Sequence, residues 1–134
     1  MRLELLADLA QLNRIREFVT ESATALGIAP ASFDDLRLAV DEAVTNILTH
    51  GYCGPGEIEI EMATDGADLV IRVRDKATSF DAAHTPPNDP HTSQSHDAPG
   101  GFGLYLIRTA MDEVLHRPLH PGNELTMIKR GVAD

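Results

Sequence analysis

Three short segments carry residue types and spacings that could do chemistry. Glu42 and Asn46 stand four apart in a helical pattern, so they share one face a turn from each other. A carboxylate there can take a proton or orient a nucleophile, and an amide oxygen can ligate Mg²⁺, a hard cation that prefers oxygen donors. Asp75, with Phe80 and Asp81 after it, ends an alternating segment. An aspartate in that place can accept a hydrogen bond from an exocyclic amine such as that of adenine. The run GGFG at residues 100–103 precedes a helical pattern. Backbone N–H groups at the positive end of a helix suit phosphate oxygens. Each segment alone has a plainer reading: a solvated helix face, a turn-forming aspartate, or a loop that needs glycine for its backbone angles. The glycine run is neither a Walker A loop, since no Gly-Lys-Ser/Thr follows, nor a dinucleotide fingerprint, since the third glycine is missing.

The elements that must position these groups follow from periodicity. Residues 2–7 read as a strand, and Asp8 is a plausible N-cap for a first helix carrying Leu12, Ile15, Val19 and Leu26, ended by Gly27 and Pro30. Ser32 or Asp34 can cap a second helix, whose Phe33, Leu36, Val40, Ala43, Val44 and Ile47 recur at threes and fours until His50-Gly51. Residues 51–56 are a loop. EIEIEMA at 57–63 alternates acid and apolar residues as a half-buried strand does, and Leu69, Ile71 and Val73 supply its hairpin partner. A third helix is expected over 104–111, then strands at 114–120 and 125–130 around a turn at Pro121-Gly122-Asn123. The order β-α-α-β-β-loop-α-β-β predicts one domain over residues 1–134. It is a two-layer α/β sandwich whose mixed, mostly antiparallel sheet is covered by helices on one face.

Residues 82–99 contain four prolines and three histidines and almost nothing apolar, so they are expected to be mobile. By composition alone this stretch is as much a functional lid as an unconstrained insertion. His84, His91 and His96 within it are a poor metal site, because no cysteine accompanies them. Ser93 and Ser95 lack the rigid setting a nucleophile needs.

Composition narrows the function classes. Aromatics are only 4% of the chain against 43% hydrophobic residues, so the core must be aliphatic. A formal charge of −10 argues against nucleic acid or an anionic membrane as a partner, since both need a cationic face. It leaves phosphate ligands open, because backbone amides and a metal ion can hold them. The single cysteine, Cys53, cannot make an internal disulfide, and the early residues show no apolar signal core. A cytoplasmic protein is expected.

Together and in order, the segments are far more specific than any one alone. LRLAVDEAVTNILTHGY (residues 36–52) resembles the N-box of the GHKL ATPases in the form typical of bacterial anti-sigma-factor serine kinases. DKATSF resembles the D-x-G-x-x-F adenine box, GGFGLYLIR the second glycine box, and MDEVLHRPLHPGNELTMIKR the closing strands of that family. The resemblance implies a Bergerat-type sandwich that binds ATP and Mg²⁺. It makes Glu42 the general base and Asn46 the Mg²⁺ ligand. Asp75 reads the adenine amine, with Ala77 and Phe80 in the same box and Thr126 supporting the aspartate from a late strand. Gly101, Gly103 and Leu104 cradle the phosphates, and His50 is a polar neighbour of the nucleotide. Residues 82–99 become the ATP lid. The implied activity is a serine/threonine protein kinase that phosphorylates an anti-sigma-factor antagonist of STAS type and binds a sigma factor.

Two features depart from the family pattern. Ala77 stands where glycine is usual, adding a methyl group beside the purine. No Lys or Arg lies between Asp81 and Arg108, so a cation for the γ-phosphate must come from elsewhere, Arg108 being one candidate. A nucleotide-binding module that sequesters its partner without catalysis is therefore the alternative. The ATP-binding part of a histidine kinase is a third reading, against which stands the lack of a dimerisation helix bearing a phospho-acceptor histidine. Oligomeric state is left open, a homodimer included.

Overall fold

A computed structural model describes residues 1–77 and 99–133. Phe80, Asp81, the lid histidines and the lid expectation up to residue 98 lie outside the described residues. Five strands, β1 (Arg2–Ala7), β2 (Gly56–Asp65), β3 (Asp68–Asp75), β4 (Glu113–Pro118) and β5 (Asn123–Lys129), form one sheet in the order β1-β2-β3-β5-β4. Every described pairing is antiparallel, in keeping with the mostly antiparallel sheet expected. Three helices, α1 (Leu12–Ala25), α2 (Phe33–Asn46) and α3 (Pro99–Ala110), pack on one face.

Alternation decides which sheet face meets the helices. On β2, Ile58, Ile60 and Met62 are buried, and on β3 so are Leu69, Ile71 and Val73, while Glu59, Glu61, Arg72 and Arg74 point the other way. Ile15 and Val19 of α1, Leu36, Val40 and Val44 of α2, and Ile107 of α3 complete this aliphatic core. Each fully shielded side chain of this kind contributes roughly 1.5–3 kcal/mol of transfer free energy. The opposite face carries no helix among the described residues and is laced by Arg74, which reaches Glu59 (3.2 Å), Glu61 (3.0 Å) and Glu124 (2.7 Å) across β2, β3 and β5.

The element ends differ from the expected ones for local reasons. Asp8 caps a short 3₁₀ turn at Leu9–Gln11 by accepting from the Ala10 amide (2.9 Å), and α1 proper starts only at Leu12. Gly27 ends α1 with φ +76°, as expected of a C-terminal glycine. Ser32 precedes α2 without a side-chain cap bond; Asp34 and Asp35 sit in the first turn, where negative charge suits the helix dipole. α2 runs on through one π-helical turn, Ile47–Gly51. The β2–β3 hairpin turns at Gly66-Ala67, later than expected, with Gly66 at φ +64°. α3 begins at Pro99, so Gly101 and Gly103 lie within its first turns and not in a loop before it; proline is favoured at the first helical position. β4 stops at Pro118, and residues 119–122 form the turn to β5.

Candidate functional site

α2 carries Glu42, Asn46 and His50 at intervals of four, so the three stand on successive turns of one face. Glu42 and Asn46 are half-buried, and His50 is exposed. Beneath them on the same helix, Ala39, Val40, Ala43 and Val44 are buried and anchor the helix to the sheet. The π turn then delivers Gly51 against Ala77, two residues past the end of β3. A Cβ built on Gly51 would lie 3.2 Å from the Ala77 Cβ. The turn that ends α2 and the segment that follows β3 are thus in direct contact, and the Ala77 methyl is met by a glycine that lacks one.

Tyr52 locks the same junction. Its hydroxyl donates to the Glu57 carbonyl (2.7 Å) and accepts from the Lys76 amide (2.8 Å), tying the exit of α2 to the start of β2 and the end of β3. Burial pushes the Tyr52 phenol up, which keeps it protonated and able to do both. Gly56 lies under the ring; a Cβ there would be 2.1 Å from Tyr52 Cδ2.

Asp75 is buried at the end of β3, on the helix-facing side. Its Oδ1 accepts from the Ala77 amide (2.9 Å) and from Asn123 Nδ2 (3.2 Å). Among the described residues Oδ2 accepts no hydrogen bond. Burial pushes the Asp75 carboxyl above the ordinary aspartate range, and the bonds from Asn123 and Ala77, with His116 nearby, oppose part of that shift. A desolvated carboxylate with one oxygen anchored, and the other accepting from none of the described residues, is suited to an amine donor.

Thr126, expected to support Asp75, is on the wrong side of the sheet. It pairs with Arg72, whose side chain lies on the face opposite Asp75. Asn123, directly across the ladder from Asp75, makes the contact instead. The correction follows from period two: Met127, Leu125 and Asn123 share a face, and Thr126 falls between them. Counting back from the buried Met127 was the signal that could have found Asn123. Leu104 packs against the core from α3, and Arg108 is exposed on the same helix. No group of three metal-ligating side chains occurs among the described residues.

The model of the histidine kinase-like ATPase domain matches residues 5–129. The chain belongs to the histidine kinase-like ATPase domain family. It is 37% identical over 98 residues to the serine-protein kinase RsbW of Listeria monocytogenes serotype 4a, covering 69% of this chain and 62% of that protein. It is 33% identical over 122 residues to the serine-protein kinase RsbW of Bacillus licheniformis, covering 86% of this chain and 75% of the relative. The chain thus spans somewhat less than two thirds of the Listeria protein. The histidine kinase AdeS of Acinetobacter baumannii shares the fold with a TM-score of 0.53 at 9% identity, over 96% of this chain and 68% of that one. In this histidine kinase-like ATPase domain, the N-box helix, the buried aspartate and the closing hairpin therefore meet at one end of the sheet. No described helix is long and apolar enough to cross a membrane.

Proposed function

We propose that this domain binds ATP with Mg²⁺ and transfers the γ-phosphoryl group to a serine or threonine of a partner protein, as an anti-sigma-factor kinase. The observation that carries the reading is Asp75: a buried carboxylate with Oδ1 held by Ala77 and Asn123, at the contact between Gly51 of the N-box turn and Ala77 of the adenine box. The similarity to proteins named serine-protein kinase RsbW supports the kinase reading.

The donor set fits Mg²⁺. Asn46 offers an amide oxygen and Glu42 a carboxylate on one half-buried helix face, both hard oxygens and neither ion-paired within the described residues. Bound Mg²⁺ would neutralise charge on the phosphates. Asn46 would hold it, and Glu42, one turn away, would orient the attacking hydroxyl and take its proton. Asp75 would accept from the adenine amine, while Gly101, in the first turn of α3 ahead of the intrahelical bonds, would turn its backbone amide to the phosphates, and Gly103, one turn on, would let them approach closely. The partner proteins in this reading are a STAS-type antagonist and a sigma factor, and the protein acts in the cytoplasm.

Incubation with γ-labelled ATP and a co-encoded candidate antagonist tests the reading. Label on a serine or threonine of the antagonist is the expected result. ATP binding without transfer to any cognate partner would favour the sequestering module instead.

A further inference from the structure

The edge strand β4 carries a residue that reaches the buried carboxylate through one intermediary. His116 is exposed on β4, and its Nε2 lies 3.0 Å from Asn123 Oδ1. The same Asn123 donates from Nδ2 to Asp75 Oδ1 at 3.2 Å. An amide oxygen only accepts, so His116 Nε2 must carry the hydrogen in this contact; the neutral Nε2–H tautomer and the cation both satisfy it. The carboxylate decides which way the amide faces, and the imidazole holds its far end. Turned over, Asn123 would set its oxygen against the carboxylate and lose that bond.

We propose that His116 is a positioning residue of the nucleotide site. By holding the Asn123 amide it keeps Asp75 Oδ1 engaged and leaves Oδ2 for the exocyclic amine of the purine. The inference rests on the reading that Asp75 recognises adenine. Asn123 replaces the role expected of Thr126, but it brings a two-ended side chain that needs an orienting partner on its far side, and His116 is that partner.

A test compares His116→Phe, which keeps a flat ring and strand propensity but removes the N–H, with His116→Gln, which retains a donor. His116 is exposed on an edge strand, so neither change opens the core, and thermal melts of both variants check this. Affinity is measured calorimetrically for ADP and for inosine diphosphate, which lacks the exocyclic amine. One net hydrogen bond corresponds to a change of roughly 2–10-fold. His116→Phe should weaken ADP binding by that factor and leave inosine diphosphate unchanged, while His116→Gln should bind ADP like the wild type. In an Asn123→Thr background His116→Phe should have no further effect, because the amide it orients is gone. Unchanged ADP affinity in His116→Phe, or an equal loss for both nucleotides, overturns the inference and leaves His116 as a hairpin contact only. A wild-type protein that binds ADP and inosine diphosphate equally overturns the adenine-reading role of Asp75 itself, and the inference with it.

Discussion

The Ala77 side chain packs against Gly51, the last residue of the π turn after α2, where a Cβ would stand 3.2 Å from the Ala77 methyl. The methyl that departs from the family's adenine box therefore occupies space left by a glycine on the N-box side. The two positions should be energetically coupled. Gly51→Ala adds helix propensity, about 1 kcal/mol, but must also displace Ala77. In an Ala77→Gly background the displacement vanishes. Denaturant unfolding of the two single variants and the double variant should give a coupling of about 0.5–3 kcal/mol, with Gly51→Ala more favourable beside Gly than beside Ala. Additive effects would contradict the packing.

In the proposed adenine-reading role, Asp75 would favour selectivity at the expense of stability. Its folded-state pKa is raised by burial, so its contribution to stability is fully present only below the ordinary aspartate pKa, about 4, and is lost as pH rises through the raised value. Asp75→Asn can keep both bonds to its Oδ1 while removing the desolvated charge. It should melt higher than wild type at pH 7, and the difference should disappear near pH 3.5. The same variant should lose the preference for ATP over GTP, because an amide NH₂ then faces the purine. For the wild type, ATP affinity should decline on acidification at higher pH than an ordinary aspartate would dictate. Calorimetry across pH reads this directly.

Tyr52→Phe removes a hydroxyl that donates to the Glu57 carbonyl and accepts from the Lys76 amide. The expected cost is about 1 kcal/mol of unfolding free energy, since two solvent-exposed backbone groups exchange the hydroxyl for water. Nucleotide affinity should fall as well, because Lys76 lies between Asp75 and Ala77. A variant that matches wild type in both would show that the clamp is dispensable.

Variants at Glu42 and Asn46 should separate catalysis from binding. Glu42→Gln keeps size and polarity but removes the base, so phosphoryl transfer should fall by roughly 10²–10⁴-fold with little change in ATP affinity. Asn46→Ala should instead weaken Mg²⁺-dependent nucleotide binding. Transfer at the wild-type rate by Glu42→Gln would rule out its assigned role.

The amphipathic pattern of α2, the alternation of β2 and β3, and the order of the three chemical segments were all legible before any coordinates. They depend on local periodicity, and a helix or strand with one apolar face has few ways to bury it. The same alternation placed Ile58, Ile60, Leu69, Ile71 and Val73 on the core side. Helix starts were less legible: α3 absorbs glycines expected in a loop, and α1 begins after a separate turn, because capping and helix initiation depend on bonds that neighbouring elements supply.

Within the site, the sequence by itself determined which residue types were present and that Glu42 and Asn46 share a helix face. Only the tertiary structure decided who touches Asp75. Thr126 and Asn123 are three apart on one strand, so only one can face the carboxylate, and the β3–β5 register chose Asn123. That register is a pairing between segments about 50 residues apart, which no local pattern specifies. His116 entered by the same route, from an edge strand paired with β5, and the contact between Gly51 and Ala77 arose where two distant segments pack. Periodicity fixes which way a side chain points relative to its own element, while the partner it meets depends on how the elements are assembled.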